Sequence, residues 1–308
     1  MTWVAWRTQR AQFIAVLATL AVLTIWLWLS AVAMGHNQTW KYWTNADVDV
    51  LIALPGVLGL ALGAPIVARG ASSGGDKLDF TQSVTRSRWF LTKAGVGVLV
   101  AIVSGVSLTI FLQWWTQTIS ISPLTQSAGF DGNRIQPAAF DLTGFVVVAY
   151  VFFAFWLGVV LGTVIRKSGW AFAIGLPVFA CVRTLVQINR SHFIMPAVAT
   201  SLLGRVPATV THGWMLNLAL LPSNRVSPAP GIPWSSWDET GKYLSCKSSA
   251  LTNAGVARCA RTAHVHFVFQ FQPMSHYWSL QSFEASIFVI LGLVFFAFAF
   301  IRVRQWKI

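Results

Sequence analysis

Six blocks of apolar sequence, separated by short polar stretches and one long one, dominate this 308-residue chain. They run Ala11 to Met34, Leu51 to Ala68, Ala94 to Trp114, Gly144 to Ile165, Trp170 to Ile188 and Phe283 to Ile301. A helix crosses the hydrocarbon core with about 20 apolar residues, and in lipid only a structure that satisfies its own backbone groups can span. Charged residues make up 10% of the chain, against roughly 25% in a soluble domain. The expected fold is therefore an all-α membrane protein with six transmembrane helices. Arg7 and Arg10 precede the first block, but its 24 residues exceed a signal-peptide core, and it reads as a retained span.

Basic residues in short loops resist translocation and set orientation. Twelve fall on one side: Arg7 and Arg10, then Arg69, Lys77, Arg86, Arg88 and Lys93, then Arg166 and Lys167, and finally Arg302, Arg304 and Lys307. The opposite short loops, 35–50 and 115–143, carry only Lys41 and Arg134. Both termini are expected in the cytoplasm, and much of the net charge of +13 is topological signal and contact with anionic lipid. No basic run with interleaved aromatics suggests nucleic-acid binding.

The segment from Asn189 to Ser282 lies outside by the same rule and gives three expected regions: 1–188, an extracytoplasmic subdomain at 189–282, and a last span with its tail at 283–308. Met195–Leu203 and Trp214–Leu221 are apolar but too short to span, and read as re-entrant or interfacial helices. HVHFVFQFQP alternates polar and apolar residues as a strand does. Cys246 and Cys259 share this compartment and are expected to be disulfide partners, with two free thiols as the other reading. The 115–143 loop reads as connection only.

Several residues stand out for physical reasons. Trp3, Trp6, Arg7 and Arg10 recur at helical spacing and suit an interfacial helix at headgroup depth. Gly59 and Gly63 in the second span, and Gly158 and Gly162 in the fourth, are small-xxx-small pairs that let helices approach closely. Arg183, with Gln187 a turn later, is the one basic residue deep in a span, so it should face the bundle interior, a partner or water, unless it snorkels outward. Trp278, Gln281 and Glu284 stack on one helical face, and by depth Glu284 is a candidate partner for Arg183 or Arg190. A phosphate-binding loop is missing, since Gly74-Gly75-Asp76-Lys77 lacks the spacing. His264, His266 and His276 could meet at a metal only by loop folding. No metal site and no catalytic residue is expected on this chain.

MTWVAWRTQR, LPGVLGLALGAPIVAR running into LDFTQSVTRSRWFLTK, VRTLVQINRSHFIMP and YWSLQSFEASIF together resemble the membrane subunits of ATP-binding-cassette exporters of the type-2 permease class. The drug and antibiotic exporter permeases of high-GC Gram-positive bacteria are the group most resembled. The resemblance implies a plasma-membrane permease that works with a second permease copy or homologue. Two ATPase chains would hold the ATP and Mg. It also implies an ATPase-coupling segment of Arg69, Thr81, Gln82, Ser83, Arg86, Arg88 and Trp89, and expulsion of an amphiphile such as a drug, peptide antibiotic or lipid. In one respect the chain departs from its apparent relatives. They carry acids one and three positions after the arginine, where this chain has Gly70 and Ser72, so a flexible lead-in at Gly70 to Gly75 is expected before a helix over Leu78 to Lys93. The competing reading is a membrane-anchored sensor or assembly factor with an extracytoplasmic binding subdomain and no transport.

Overall fold

The computed structural model describes residues 41–73, 85–120, 133–202, 207–222 and 265–305, together with 14, 18, 21, 22, 24–26, 28 and 29. Among them five helices are long and apolar enough to cross a membrane: Val50–Ala68, Arg86–Gln117, Val146–Ile165, Ser168–His192 and Met274–Arg304. Four of them contain an expected apolar block whole, and Val146–Ile165 begins two residues inside the block from Gly144. Of the first block, Ala11 to Met34, only scattered residues are described, and those are helical.

The helices of the bundle are α1 (Lys41–Ser73), α2 (Arg86–Ser120), the short α3 (Pro137–Leu142), α4 (Val146–Ile165), α5 (Ser168–Asn189) and α7 (Tyr277–Arg304). By compactness the chain divides into two units, one of Met1–Gly132, Ala138–Val186 and Gln281–Ile308, the other of Asn133–Pro137 and Gln187–Leu280. In the first, α4 packs against both α1 and α2. Two tight turns frame α4. At its start Gly144 has φ 76°, a conformation glycine adopts without steric cost. At its end Arg166 has φ 56°, and its N–H donates to the Gly162 carbonyl, closing the helix. Only Arg166 and Lys167 separate α4 from α5.

Lipid tails are as apolar as the side chains, so close packing must hold the bundle together. The α1–α4 crossing is tight enough to exclude Cβ atoms. One on Gly59 would lie 2.5 Å from the Ala154 Cβ and the Val151 carbonyl oxygen, and one on Gly63 would strike the Phe155 carbonyl. From the other side, a Cβ on Gly158 would stand 2.8 Å from the Ala64 nitrogen, and one on Gly162 2.5 Å from the Ala64 oxygen. Aromatic rings fill the space between α4, α5 and α7. Phe153 meets Phe288 at 5.4 Å, Phe295 at 5.6 Å and Phe179 at 6.0 Å between centroids.

The described residues are mostly helical, as expected of an all-α membrane protein, and the second unit adds one small sheet. Met195–Leu203 and Trp214–Leu221 do not form interfacial helices; β1 (Ala197–Leu202) and β2 (Trp214–Pro222) are strands, with the one-turn helix α6 (Ala208–Thr211) between them. Both pair antiparallel with β3 (Val265–Gln272), the segment whose alternation marked it as a strand, giving the order β1-β3-β2. Pairing on both edges saturates the β3 backbone, and Val268, Phe269, Phe271 and Gln272 are all buried. Val210, Phe269 and Phe271 make the small core, with Ala197 and Ala199 against it. The Gln272 amide donates to the Ser191 carbonyl at 3.2 Å and the Ile194 carbonyl at 2.7 Å, tying the end of β3 to the chain leaving α5. The loop before α4 is also more than connection: Asn133 Nδ2 donates to the Gly213 carbonyl at 3.3 Å, and α3 buries its last four residues.

Candidate functional site: a buried polar cluster and a helix leading from it

Five buried polar side chains from four helices, Asp141, Tyr150, Arg183, Gln281 and Glu284, gather in the first unit. Arg183 of α5, 4% exposed, donates from Nη1 to the Ile52 carbonyl of α1. Its Nη2 lies 3.5 Å from Asp141 Oδ2 of α3. The guanidinium carbon sits 4.4 Å from the centroid of the Tyr150 ring of α4, a cation–π stack in a desolvated place. The Tyr150 hydroxyl is 2.5 Å from Glu284 Oε1 of α7 and 3.4 Å from Asp141 Oδ1. Asp141, Tyr150 and Glu284 are fully buried.

Gln281, one turn before Glu284, fastens the turn between α3 and α4. Its Oε1 accepts from the Val146 N–H at 3.1 Å, and its Nε2 donates to the carbonyls of Phe140 at 3.2 Å and Thr143 at 3.0 Å. The Thr143 hydroxyl returns a bond to the Ala139 carbonyl at 2.7 Å. The turn that presents Asp141 to Arg183 is thus held by α7. Charge this deep in a bilayer protein is stable only when paired and hydrogen-bonded.

Expectation and structure meet here unevenly. Arg183, Gln281 and Glu284 were singled out in the sequence and come together, whereas Gln187 lies further along α5, half-buried. Asp141 and Tyr150 were missed. The signal for the first is an acid directly before a span in FDLTGF, and for the second a tyrosine inside one. The fold brings Asp141 and Glu284, far apart in the sequence, to one tyrosine hydroxyl.

The expected coupling residues divide. Arg69 lies in α1, which continues through Gly70 and Ser72 to Ser73, so the start of the expected lead-in is helical instead. Extending a formed helix fixes one residue per hydrogen bond gained, enough to offset the roughly 1 kcal/mol that one glycine costs. Thr81, Gln82 and Ser83 lie outside the described residues. Thr85 is not helical and α2 begins at Arg86, so Arg86, Arg88 and Trp89 form the first turn of the span helix, where a helix over Leu78 to Lys93 was expected. There Trp89 is buried, Arg88 is exposed, and the Lys93 ammonium lies 4.2 Å from the centre of the Trp89 ring. Trp3, Trp6, Arg7 and Arg10 lie outside the described residues, as do Cys246 and Cys259.

A bundle of lipid-length helices, packed on glycine and holding a buried charge cluster, defines a multi-pass membrane protein. A model of the family described as ABC-2 membrane transporter related matches residues 30–190, more than half of the chain. The chain belongs to that family and is a membrane subunit of an ABC-type transporter, which implies an ATP-binding partner. Comparison with curated proteins and with solved structures gives no match.

Proposed function

We propose that this chain is the permease subunit of an ATP-driven exporter in the plasma membrane, moving an amphiphile such as a drug, peptide antibiotic or lipid outward. Both termini lie in the cytoplasm, and a second permease copy or a homologous permease completes the pathway. Two ATPase chains bind ATP and Mg and dock on the polar stretch between α1 and α2. Arg69, Thr81, Gln82, Ser83, Arg86, Arg88 and Trp89 form or flank that docking surface, and the interfacial residues Trp3, Trp6, Arg7 and Arg10 brace it from the membrane side. The carrying observation is that the family match takes in α1, the polar stretch, α2, α4 and α5 as one block. The lost acid pair at Gly70 and Ser72 is accommodated either by basic residues at the head of α2 or by a partner permease that keeps the acids.

The test is purification from the native membrane. An ATPase that co-purifies, and whose hydrolysis rate falls when Arg86 and Arg88 are both changed to Glu, supports the proposal. A complex free of any nucleotide-binding chain sinks it and favours the sensor or assembly-factor reading.

A further inference from the structure

The guanidinium of Arg183 is held by fewer bonds than it can make. It offers five N–H donors. Nη1 is used on the Ile52 carbonyl, while Nε and Nη2 are buried without a hydrogen bond among the described residues, Nη2 having only its 3.5 Å ion pair with Asp141. In low dielectric a partly satisfied network is expensive, and one rearrangement that satisfies it better lies close by. The carboxylate of Glu284 is one tyrosine hydroxyl away from the cation that stacks on the same ring.

What Arg183 grips is also unusual. Pro55 has no N–H, so the Leu51 carbonyl loses its ordinary helical donor one residue before the carbonyl that Arg183 takes. From Ile52, α1 continues as one helix to Ser73, with Pro55 and Pro65 inside it. That length is about 30 Å at 1.5 Å per residue. A displacement at the Arg69–Ser73 end therefore reaches the Arg183 contact through one helix, which a chain of flexible loops would not transmit.

We propose that Arg183 is the positioning residue that converts movement of α1 into a rearrangement of α3, α4 and α7. When α1 shifts, the Ile52 carbonyl leaves Nη1, and the guanidinium turns onto Asp141 and Glu284 together, slackening the turn that Gln281 holds before α4. No proton and no covalent bond changes hands; the cation exchanges a backbone acceptor for a carboxylate. This rests on the reading of the chain as an ATPase-driven permease.

The experiment uses the permease co-purified with its ATPase in nanodiscs. Spin labels on ketone-bearing unnatural residues replace Val50 and Phe283, both exposed, so the native cysteines stay untouched. The inter-label distance is compared between the nucleotide-free and vanadate-trapped states. The expected result is a shift in the wild type, its loss in Arg183→Gln with ATP hydrolysis retained, and partial recovery in Arg183→Lys, which keeps the charge but has no fork to hold two acceptors. Should Arg183→Gln fail to fold, Tyr150→Phe removes the hydroxyl link to Glu284 while keeping the ring under the cation, and is expected to reduce the shift. A full shift in Arg183→Gln, or in Tyr150→Phe where that variant replaces it, overturns the proposal. So does a wild type with no shift. Absence of a co-purifying ATPase would instead strike the functional reading on which it stands.

Discussion

The neighbours α4 and α5 are both apolar enough to span and are joined by two residues, yet α4 has 67% of its most apolar window buried and α5 has 22%. Hydropathy does not decide this, since Met274–Arg304 is more apolar than either, at a mean hydropathy of 2.5, and is buried no more than α5. What separates them is where the small and the charged residues fall. Helix α4 carries Gly158 and Gly162 against Ala64, which brings α1 to backbone contact and makes α4 the centre of the bundle. Helix α5 turns Trp170, Ile174, Val178, Leu185 and Ile188 outward and sends inward chiefly Ala171, Gly175, Phe179 and Arg183. In a membrane, then, apolarity says that a helix spans, while glycine and charge say which way it faces.

Four measurements would break or sharpen that contrast, the first carrying the largest effect. Asp141→Leu leaves Arg183 buried beside an apolar group, and removing one partner of such a pair costs about 3–5 kcal/mol. Thermal unfolding in detergent should show the loss, and Arg183→Met combined with it should recover much of the deficit. No recovery would mean that the pair is incidental. Gly63→Ala drives a methyl into the Phe155 carbonyl and should cost about 1–3 kcal/mol, while Gly95→Ala, where nothing lies within 4 Å, should be neutral or slightly stabilising. Equal effects at the two glycines would refute the close crossing. Gln281→Leu strands the Val146 N–H and two carbonyls, with an expected loss of about 1–3 kcal/mol concentrated in hydrogen-exchange protection at the start of α4. Ile174→Ala on the outer face of α5 should change unfolding of the single chain by less than about 0.5 kcal/mol. A larger effect that depends on protein concentration would show that a second copy covers this face.

Five of the six expected spans were legible because length and apolarity are properties of consecutive residues. The glycine pairs at 59/63 and 158/162 were equally local, and their spacing told which faces were small, though not that the two faces meet. β1 and β2 were not legible. AVATSL and WMLNLALLP have no strict alternation, and they become strands because β3, far along the chain, offers a free edge on each side: Asn217 is opposite Gln270, and Ala199 opposite Phe269. The ion pair between Arg183 and Asp141 was not legible for a related reason. Depth within spans pointed to Glu284, but the acid at ion-pair distance, Asp141, sits in a segment whose polarity looked like a loop, and only the turn that Gln281 closes carries it to the cation.

The two-residue turn at Arg166 and Lys167 also bears on how this protein is made. With so little chain between them, α4 and α5 cannot take separate decisions at a translocation machine, and the pair enters the bilayer as one hairpin whose tip carries both charges. Neutralising that tip would therefore be felt as misrouting of two helices together, and Arg183, which rides on the second, would be carried away from the carbonyl it is meant to meet.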